Sequence, residues 1–205
     1  MILCNKLPSC NQAFIGRKDE IKAIASHLSN QSVLFITGMA GIGKSEVAKA
    51  YAQKNRKKYT NIIYLYYTGD LRKDIANLTF ADDSVEMNEE VRFQNHYKVM
   101  QRLHTDTLLI LDNFNVLPKD EPFLKELMKN DMQLLITSRC KLKNYDSIEI
   151  KELDKEKELT ELFYKHCPSA KRDPDSVSAI IEEVNCHTLT VCMAALTLEA
   201  SGMEP

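Results

Sequence analysis

The chain has 205 residues, of which 44% are hydrophobic and 27% are charged, and its formal net charge is −2. This composition is typical of a globular protein of one domain or slightly more. The near-neutral charge gives no global attraction to nucleic acid or anionic membranes, so we expect no direct nucleic-acid binding. No apolar run approaches the roughly 18 residues of a membrane span, and the N-terminus lacks a signal sequence. The six cysteines form no CxxC pair. These features favour reduced thiols in a cytoplasmic protein without a membrane partner.

The first predicted helix follows the segment FIGR at 14–17. Ile21, Ile24 and Leu28 recur at helical spacing, which predicts an amphipathic helix packed on the core. Arg17 stands at the start of this helix. Its position alone is consistent with a solvated first-turn charge as much as with a functional residue.

The first predicted strand, 33–37, leads directly into GMAGIGKS at 38–45 and then into a helix that should extend to about Tyr59. This segment fits the phosphate-binding pattern GxxxxGK[ST], and strand, turn and helix occur in the required order. Glycines let backbone N–H groups surround an anion, and the helix N-terminus adds a favourable dipole. We expect Lys44 to reach the β- and γ-phosphates and the Ser45 hydroxyl to help hold Mg²⁺. A chance glycine turn is the alternative.

Four further segments have the composition of strands, and helical patterns separate most of them. They are predicted at 61–66, 107–111, 133–137 and 147–150. Strands that alternate with helices form a parallel sheet covered on both faces, and ligands bind beyond the carboxyl ends of its strands. Asp112 and Arg139 follow two of these strands. We therefore expect both at the sheet edge that carries the phosphate-binding loop.

Each of these two residues has a functional and a structural interpretation. Asp112 is suited to hold Mg²⁺ opposite Ser45, as the aspartate of a Walker B motif does; the alternative is a capping residue on a loop. Arg139 carries a delocalised charge suited to a γ-phosphate; the alternative is a surface ion pair.

After residue 150 the predicted strands stop and three short helices follow. Asp154 and Asp173 are suited to cap the first two, and Gly202 is suited to end the third. We therefore predict an α/β fold, a P-loop NTPase three-layer sandwich with a five-stranded parallel sheet at 1–150. A small all-α helical subdomain is predicted at 151–205.

Six segments, in this order, resemble the NB-ARC domain of the STAND class of P-loop signal-transduction ATPases. They read FIGR, GMAGIGKS, LLILDNF, LLITSR, ELDKEKELTELF and NCHTLTVCMAAL. The phosphate-binding motif alone occurs in many families, but the ordered set is more specific and spans nearly the whole chain. The resemblance implies ATP or ADP with Mg²⁺ as cofactors. It also implies that the Arg139 strand lies between the phosphate-loop strand and the Asp112 strand.

The resemblance further implies roles for individual residues. The nucleotide-binding residues would be Ile15, Arg17, Gly41, Ile42, Gly43, Lys44, Ser45, Glu46, His187 and Thr188. Of these, Ile15 and Arg17 would contact the base. The catalytic residues would be Lys44, Asp112 and Arg139, and the metal ligands would be Ser45 and Asp112.

Two positions depart from the family's pattern. The family often has a second acid after the Walker B aspartate, where it orients the attacking water. Asn113 cannot accept that water's proton, so we expect slow hydrolysis or none. Thr188 stands at the proline of the family's GLPL motif, and either Thr188 or His187 would pack near the base. For His187 the alternative is a polar residue at a helix start.

These observations predict the ATP/ADP-binding switch core of a STAND-type signalling protein. Its partners would be an adenine nucleotide and other domains or subunits of a larger protein, with nucleotide-dependent oligomerisation. Because the chain ends at Pro205, after the segment that resembles the first helical subdomain, we expect an excised core or a minimal relative.

Other classes have less support. The main alternative is a catalytically active AAA+-like ATPase, a motor or loader, and Asn113 counts against it. A GTPase is disfavoured because no NKxD motif follows the Asp112 strand. A small-molecule kinase is disfavoured because 112–132 contains no arginine for a lid. A scaffold with an inactive site is the third class.

Overall fold

The computed structural model describes residues 6–84, 86–140 and 142–202; Cys4 and Pro205 lie outside this range. Strands and helices are interspersed up to residue 149, and the described residues after it contain helices but no strands. In chain order the elements are α1 (Lys18–His27), β1 (Val33–Thr37), α2 (Lys44–Lys54), β2 (Asn61–Tyr66), α3 (Leu71–Ala76), α4 (Glu89–Met100), β3 (Thr107–Asp112), α5 (Pro122–Leu127), β4 (Gln133–Ser138), β5 (Ser147–Glu149), α6 (Thr160–His166), α7 (Pro174–Glu183) and α8 (Thr188–Ser201).

The five strands form one parallel sheet in the order β2-β3-β4-β1-β5. The strand β4 therefore lies between β1 and β3, as predicted for the Arg139 strand. Every residue of β3 and of β4 is buried. Strands covered on both faces need apolar side chains in both directions, which explains why their sequences are continuous apolar runs.

Helices cover both faces of the sheet. Leu134 and Ile136 of β4 belong to the core on the side of α3, α4 and α5, whereas Leu135 belongs to the core on the side of α1 and α2. This alternation follows from the two-residue period of a strand. The structure thus confirms the predicted α/β sandwich with five parallel strands.

The C-terminal helices have a core of their own. Its largest fully buried side chain is Phe163, which packs with residues of α6, α7 and α8. Asp154 caps a π-helical turn that leads into α6, and Asp173 caps α7 by accepting from the Ser176 N–H. Gly202 ends α8 with φ 63°. The predicted all-helical part is therefore present.

The predicted end of α2 is wrong. The helix stops at Lys54, residues 56–58 form a 3₁₀ turn, and Tyr59 is extended. The Tyr59 hydroxyl lies 2.6 Å from the Tyr51 hydroxyl and donates to Gln133 Oε1 over 2.6 Å. Because these buried partners hold the Tyr59 side chain in the core, the chain leaves the helix before this residue.

The strand that contains Asp112 is one residue longer than predicted. Asp112 is the last residue of β3 and pairs with Tyr66 of β2. Its carboxylate is consequently fixed by the sheet and does not belong to the following loop.

Neither a long apolar helix nor a disulfide occurs in the described ranges. None of the helices found there has both the length and the apolar character needed to cross a bilayer. The five cysteines of the described residues are free thiols.

Candidate nucleotide-binding site

The loop between β1 and α2 depends on glycine backbone conformations. Gly38, Gly41 and Gly43 all have positive φ, at 144°, 74° and 102°. A Cβ on Gly38 would lie 2.6 Å from the Ile150 carbonyl oxygen, so only glycine allows this approach. No side chain caps the N-terminus of α2. The first N–H groups of α2 are thus left for an anion.

Lys44 lies folded into this loop. Its Nζ donates to the carbonyl oxygens of Gly38 and Met39 over 2.9 and 2.6 Å, and the residue is only 9% exposed. Burial lowers the pKa of Lys44, the Arg139 charge lowers it further, and Asp112 opposes both effects. Two cations thus face each other at this site, which fits an anionic ligand between them.

The Asp112 carboxylate accepts three hydroxyl hydrogen bonds. Its Oδ1 accepts from Ser45 Oγ over 2.7 Å and from Thr137 Oγ1 over 2.5 Å. Its Oδ2 accepts from the Tyr64 hydroxyl over 2.5 Å. Burial and this hydrogen bond raise the pKa of Tyr64, so the phenol keeps its proton and stays a donor. The paired Ser45 hydroxyl and Asp112 carboxylate are the hard oxygen ligands that Mg²⁺ prefers.

Hydrogen bonds through Asn115 connect Arg139 with Asn113. The Arg139 backbone N–H donates to Asn115 Oδ1 over 2.9 Å, and Asn115 Nδ2 donates to Asn113 Oδ1 over 2.5 Å. Asn113 Nδ2 in turn donates to the Tyr67 carbonyl oxygen over 3.3 Å. Both functional atoms of the Asn113 amide thus have protein partners. Residues of this network and of the loop line an open cavity, which we call the phosphate-side cavity. Its wall includes Gly41, Gly43, Lys44, Ser45, Glu46, Asn113, Asn115, Thr137 and Arg139.

A second cavity lies where the N-terminal segment, the loop and the C-terminal helices meet. We call it the base-side cavity. Its wall includes the predicted residues Ile15, Arg17, Ile42, Gly43, Glu46 and Thr188. Gly43 and Glu46 line both cavities, so the two are neighbours across the loop.

Arg17 is not a solvated charge. It has φ 60° and is only 6% exposed. Its guanidinium donates to the Ile42 carbonyl oxygen over 3.2 Å and to Glu20 over 2.9 Å. Arg17 therefore fixes the loop backbone, and its expected contact with a base stays a prediction.

His187 connects the C-terminal helices to the loop. Its Nδ1 accepts from the Thr190 N–H at the start of α8, which leaves Nε2–H to donate to the Ala40 carbonyl oxygen over 2.7 Å. His187 lies in the wall of neither cavity, whereas its neighbour Thr188 lines the base-side cavity.

Three residues that sequence reasoning did not select belong to this arrangement. Tyr64 and Thr137 bind Asp112, and His166 lines the base-side cavity. The polar residue Thr137 within an apolar strand was a usable signal. Tyr64 and His166 gave none, because tyrosine is common in strands and histidine is common in the last turn of a helix.

Solved structures of three P-loop proteins resemble this chain. A Walker-type ATPase of Pyrococcus abyssi has a TM-score of 0.68 and 10% identity, and the match covers 99% of this chain and 73% of that one. A point variant of RuvB from Thermotoga maritima has a TM-score of 0.57 and 14% identity, with 96% of this chain and 67% of that one covered. AMPPCP-bound DnaA from Aquifex aeolicus has a TM-score of 0.58 and 16% identity, with 92% of this chain and 64% of that one covered. At these identities the likeness shows a shared fold.

Sequence comparison gives a family. No curated protein matches the chain. A family model described as an AAA domain matches residues 26–144, which is more than half of the chain. The matched region contains β1 to β4, the glycine-rich loop, Asp112 and Arg139. The chain therefore belongs to the AAA domain family, and its sheet and loop form a P-loop NTPase domain.

Proposed function

We propose that this chain is the adenine-nucleotide-binding core of a STAND-type molecular switch, which binds ATP or ADP with Mg²⁺ and hydrolyses ATP slowly or not at all. One observation carries the proposal. The Ser45–Asp112 pair is assembled at 2.7 Å, while the position after Asp112 holds an amide that is already hydrogen-bonded on both sides. This arrangement supports nucleotide and Mg²⁺ binding, while the position directly after Asp112 carries no general base.

The residues present fit both cofactors. Lys44 and the N–H groups at the start of α2 would hold the phosphates, and the Arg139 guanidinium would contact a γ-phosphate. Ser45 and Asp112 would hold Mg²⁺, which neutralises phosphate charge when bound. On nucleotide binding, Lys44 would give up its hydrogen bonds to the Gly38 and Met39 carbonyl oxygens. Stronger, charge-assisted hydrogen bonds to phosphate oxygens would replace them.

The switch would operate between two parts of the chain, residues 1–150 and 151–205. The His187–Ala40 hydrogen bond and the base-side cavity lie where these parts meet. A nucleotide held there would contact both parts, and a γ-phosphate contact would favour one arrangement over another. In the intact protein, further domains or subunits would read that arrangement, with nucleotide-dependent oligomerisation.

An active AAA+-like ATPase is the second candidate. The family match to an AAA domain favours it, as does the fold shared with a protein described as a Walker-type ATPase. Such an ATPase requires an acid that activates water, and the position after Asp112 holds the amide Asn113 in its place. Hydrolysis that increases with protein concentration would support this candidate, because a neighbouring subunit would then complete the site.

The test is calorimetric titration with Mg·ATP and Mg·ADP, followed by a turnover assay. We expect binding of both nucleotides and a loss of about 100-fold or more in Lys44→Ala, which removes several charge-assisted hydrogen bonds. Lys54→Ala, at the exposed far end of α2, is the control and should bind normally. Equal affinity in the wild type and Lys44→Ala would refute the proposal. Rapid multiple turnover would favour the second candidate.

A further inference from the structure

Two residues in the wall of the base-side cavity each have a buried polar atom without a hydrogen-bond partner. These atoms are His166 Nε2, at the end of α6, and Thr188 Oγ1, at the start of α8. Within the described part of the chain only four side-chain polar atoms are in this condition, and the other two belong to Arg92 and Asn130. Neither of those lines this cavity. Half of the unsatisfied atoms are therefore concentrated in one place.

Buried polar atoms normally have partners, and an unsatisfied one destabilises the folded state. Two such atoms in a single wall indicate a ligand that supplies the partners. The rest of the wall is mainly apolar, with Phe14, Ile15, Ile42, Leu153 and Leu162. A flat heterocycle with a polar edge matches this combination, because its faces pack on apolar side chains while its edge forms hydrogen bonds.

The carboxylate in this wall already has partners. Glu46 accepts from the Asn11 N–H over 2.7 Å and pairs with Lys49. Guanine presents two adjacent donors, which a free carboxylate would satisfy, whereas adenine presents an amino donor beside a ring-nitrogen acceptor. A histidine nitrogen and a threonine hydroxyl suit the adenine edge.

We propose that His166 and Thr188 determine the base specificity of this site. His166 Nε2 accepts from the 6-amino group of adenine, and the Thr188 hydroxyl donates to a neighbouring ring nitrogen. In this role the imidazole carries a proton on Nδ1, which leaves Nε2 as the acceptor. This inference rests on the proposed nucleotide binding and adds the residues that select the base.

The test compares ADP with purine riboside 5′-diphosphate, which lacks only the 6-amino group. We expect the wild type to bind ADP about tenfold more tightly, as the loss of one buried hydrogen bond predicts. His166→Phe keeps a ring but lacks the acceptor, so its preference should fall to about one. The control His104→Phe changes an exposed histidine and should keep the tenfold preference. Thr188→Val should weaken binding of both diphosphates equally, because both retain the ring nitrogens.

The outcomes separate the two proposals. Equal binding of both diphosphates by the wild type would overturn the base assignment while nucleotide binding stands, and this result does not require the variant to fold. A preference that persists in folded His166→Phe would overturn it as well. If the wild type binds neither diphosphate, nucleotide binding itself is wrong and the base assignment falls with it.

Discussion

At the scale of single residues, Lys44 is the group whose protonation the site controls most directly. Burial and the facing Arg139 charge lower its pKa below the ordinary lysine value of 10.5. Bound phosphates would act in the opposite direction, because anions favour the charged amine. The pKa of Lys44 would consequently be lower in the free protein than in the proposed nucleotide complex.

This difference predicts how affinity depends on pH. Between the two pKa values, binding takes up a proton, so the affinity for Mg·ADP should be constant at lower pH and fall as pH rises towards 10.5. Phosphate ionisation does not interfere, since it is complete well below this range. Calorimetry from pH 7 to pH 10 in buffers of different ionisation enthalpy would measure both the affinity and the proton uptake.

Arg139→Gln provides the comparison for this prediction. Removal of the facing charge should raise the pKa of free Lys44, so the decline in affinity should begin at higher pH than in the wild type. Affinity that increases with pH, or binding without proton uptake at the alkaline end, would contradict the assignment of Lys44 as the phosphate ligand.

The sequence predicted the site residues that belong to continuous motifs. Lys44 and Ser45 follow from the glycine spacing, and Asp112 and Arg139 follow from their places after apolar strands. Tyr64 and Thr137 contact Asp112 from 48 and 25 positions away. Such contacts depend on strand register and side-chain direction, which local patterns do not encode.

At the scale of elements, the parallel sheet was predictable because four of its five strands have apolar centres and helices separate most of them. The place of β4 between β1 and β3 also followed from the family resemblance. The end of α2 was not predictable in this way, because Tyr59 leaves the helix to reach Tyr51 and Gln133 in the core. The predicted helix limit used local propensity alone, and these buried partners override it.

Three neighbouring strands cooperate to hold the Asp112 carboxylate: β2 supplies Tyr64, β3 supplies Asp112 itself and β4 supplies Thr137. Because Asp112 is only 3% exposed, each hydroxyl replaces water that the carboxylate has lost. Tyr64→Phe should therefore lower the free energy of unfolding by about 1.5–3 kcal/mol, the range for hydrogen bonds to charged groups. Urea unfolding followed by circular dichroism would measure this change.

The strand β2, which carries Tyr64, also offers a matched control. Tyr66 lies two residues on and is 53% exposed, so Tyr66→Phe should change the free energy of unfolding by less than about 0.5 kcal/mol. If the two variants are equally stable, the Tyr64–Asp112 hydrogen bond contributes nothing and Asp112 relies on Ser45 and Thr137 alone.

At the scale of the whole molecule, the C-terminal helices approach the phosphate-binding loop most closely at a loop glycine, Gly41. A Cβ on Gly41 would lie 2.7 Å from His187 Cε1 and 2.8 Å from Leu189 Cβ. The loop glycine thus permits this contact as well as anion binding. The His187–Ala40 hydrogen bond then links the two parts of the proposed switch.

His187 has two functions that a substitution can separate. Its Nδ1 caps α8, and its Nε2 reaches the loop. Asparagine is a good N-cap but is too short to reach Ala40, so His187→Asn should preserve α8 and remove the link. We expect about fivefold faster hydrogen exchange at residues 38–43 in the nucleotide-free protein, which corresponds to one lost hydrogen bond of about 1 kcal/mol.

The control for this experiment is His104→Asn, which alters an exposed histidine at the opposite, amino-terminal end of the strands. It should leave exchange at 38–43 unchanged. In His187→Asn, unchanged helicity with faster loop exchange would identify the bond as a link between the two parts. Unchanged loop exchange would show that packing around Gly41 and Leu189 holds the two parts together without the His187–Ala40 hydrogen bond. The nucleotide would then have to move a packed interface, which is harder than breaking one hydrogen bond.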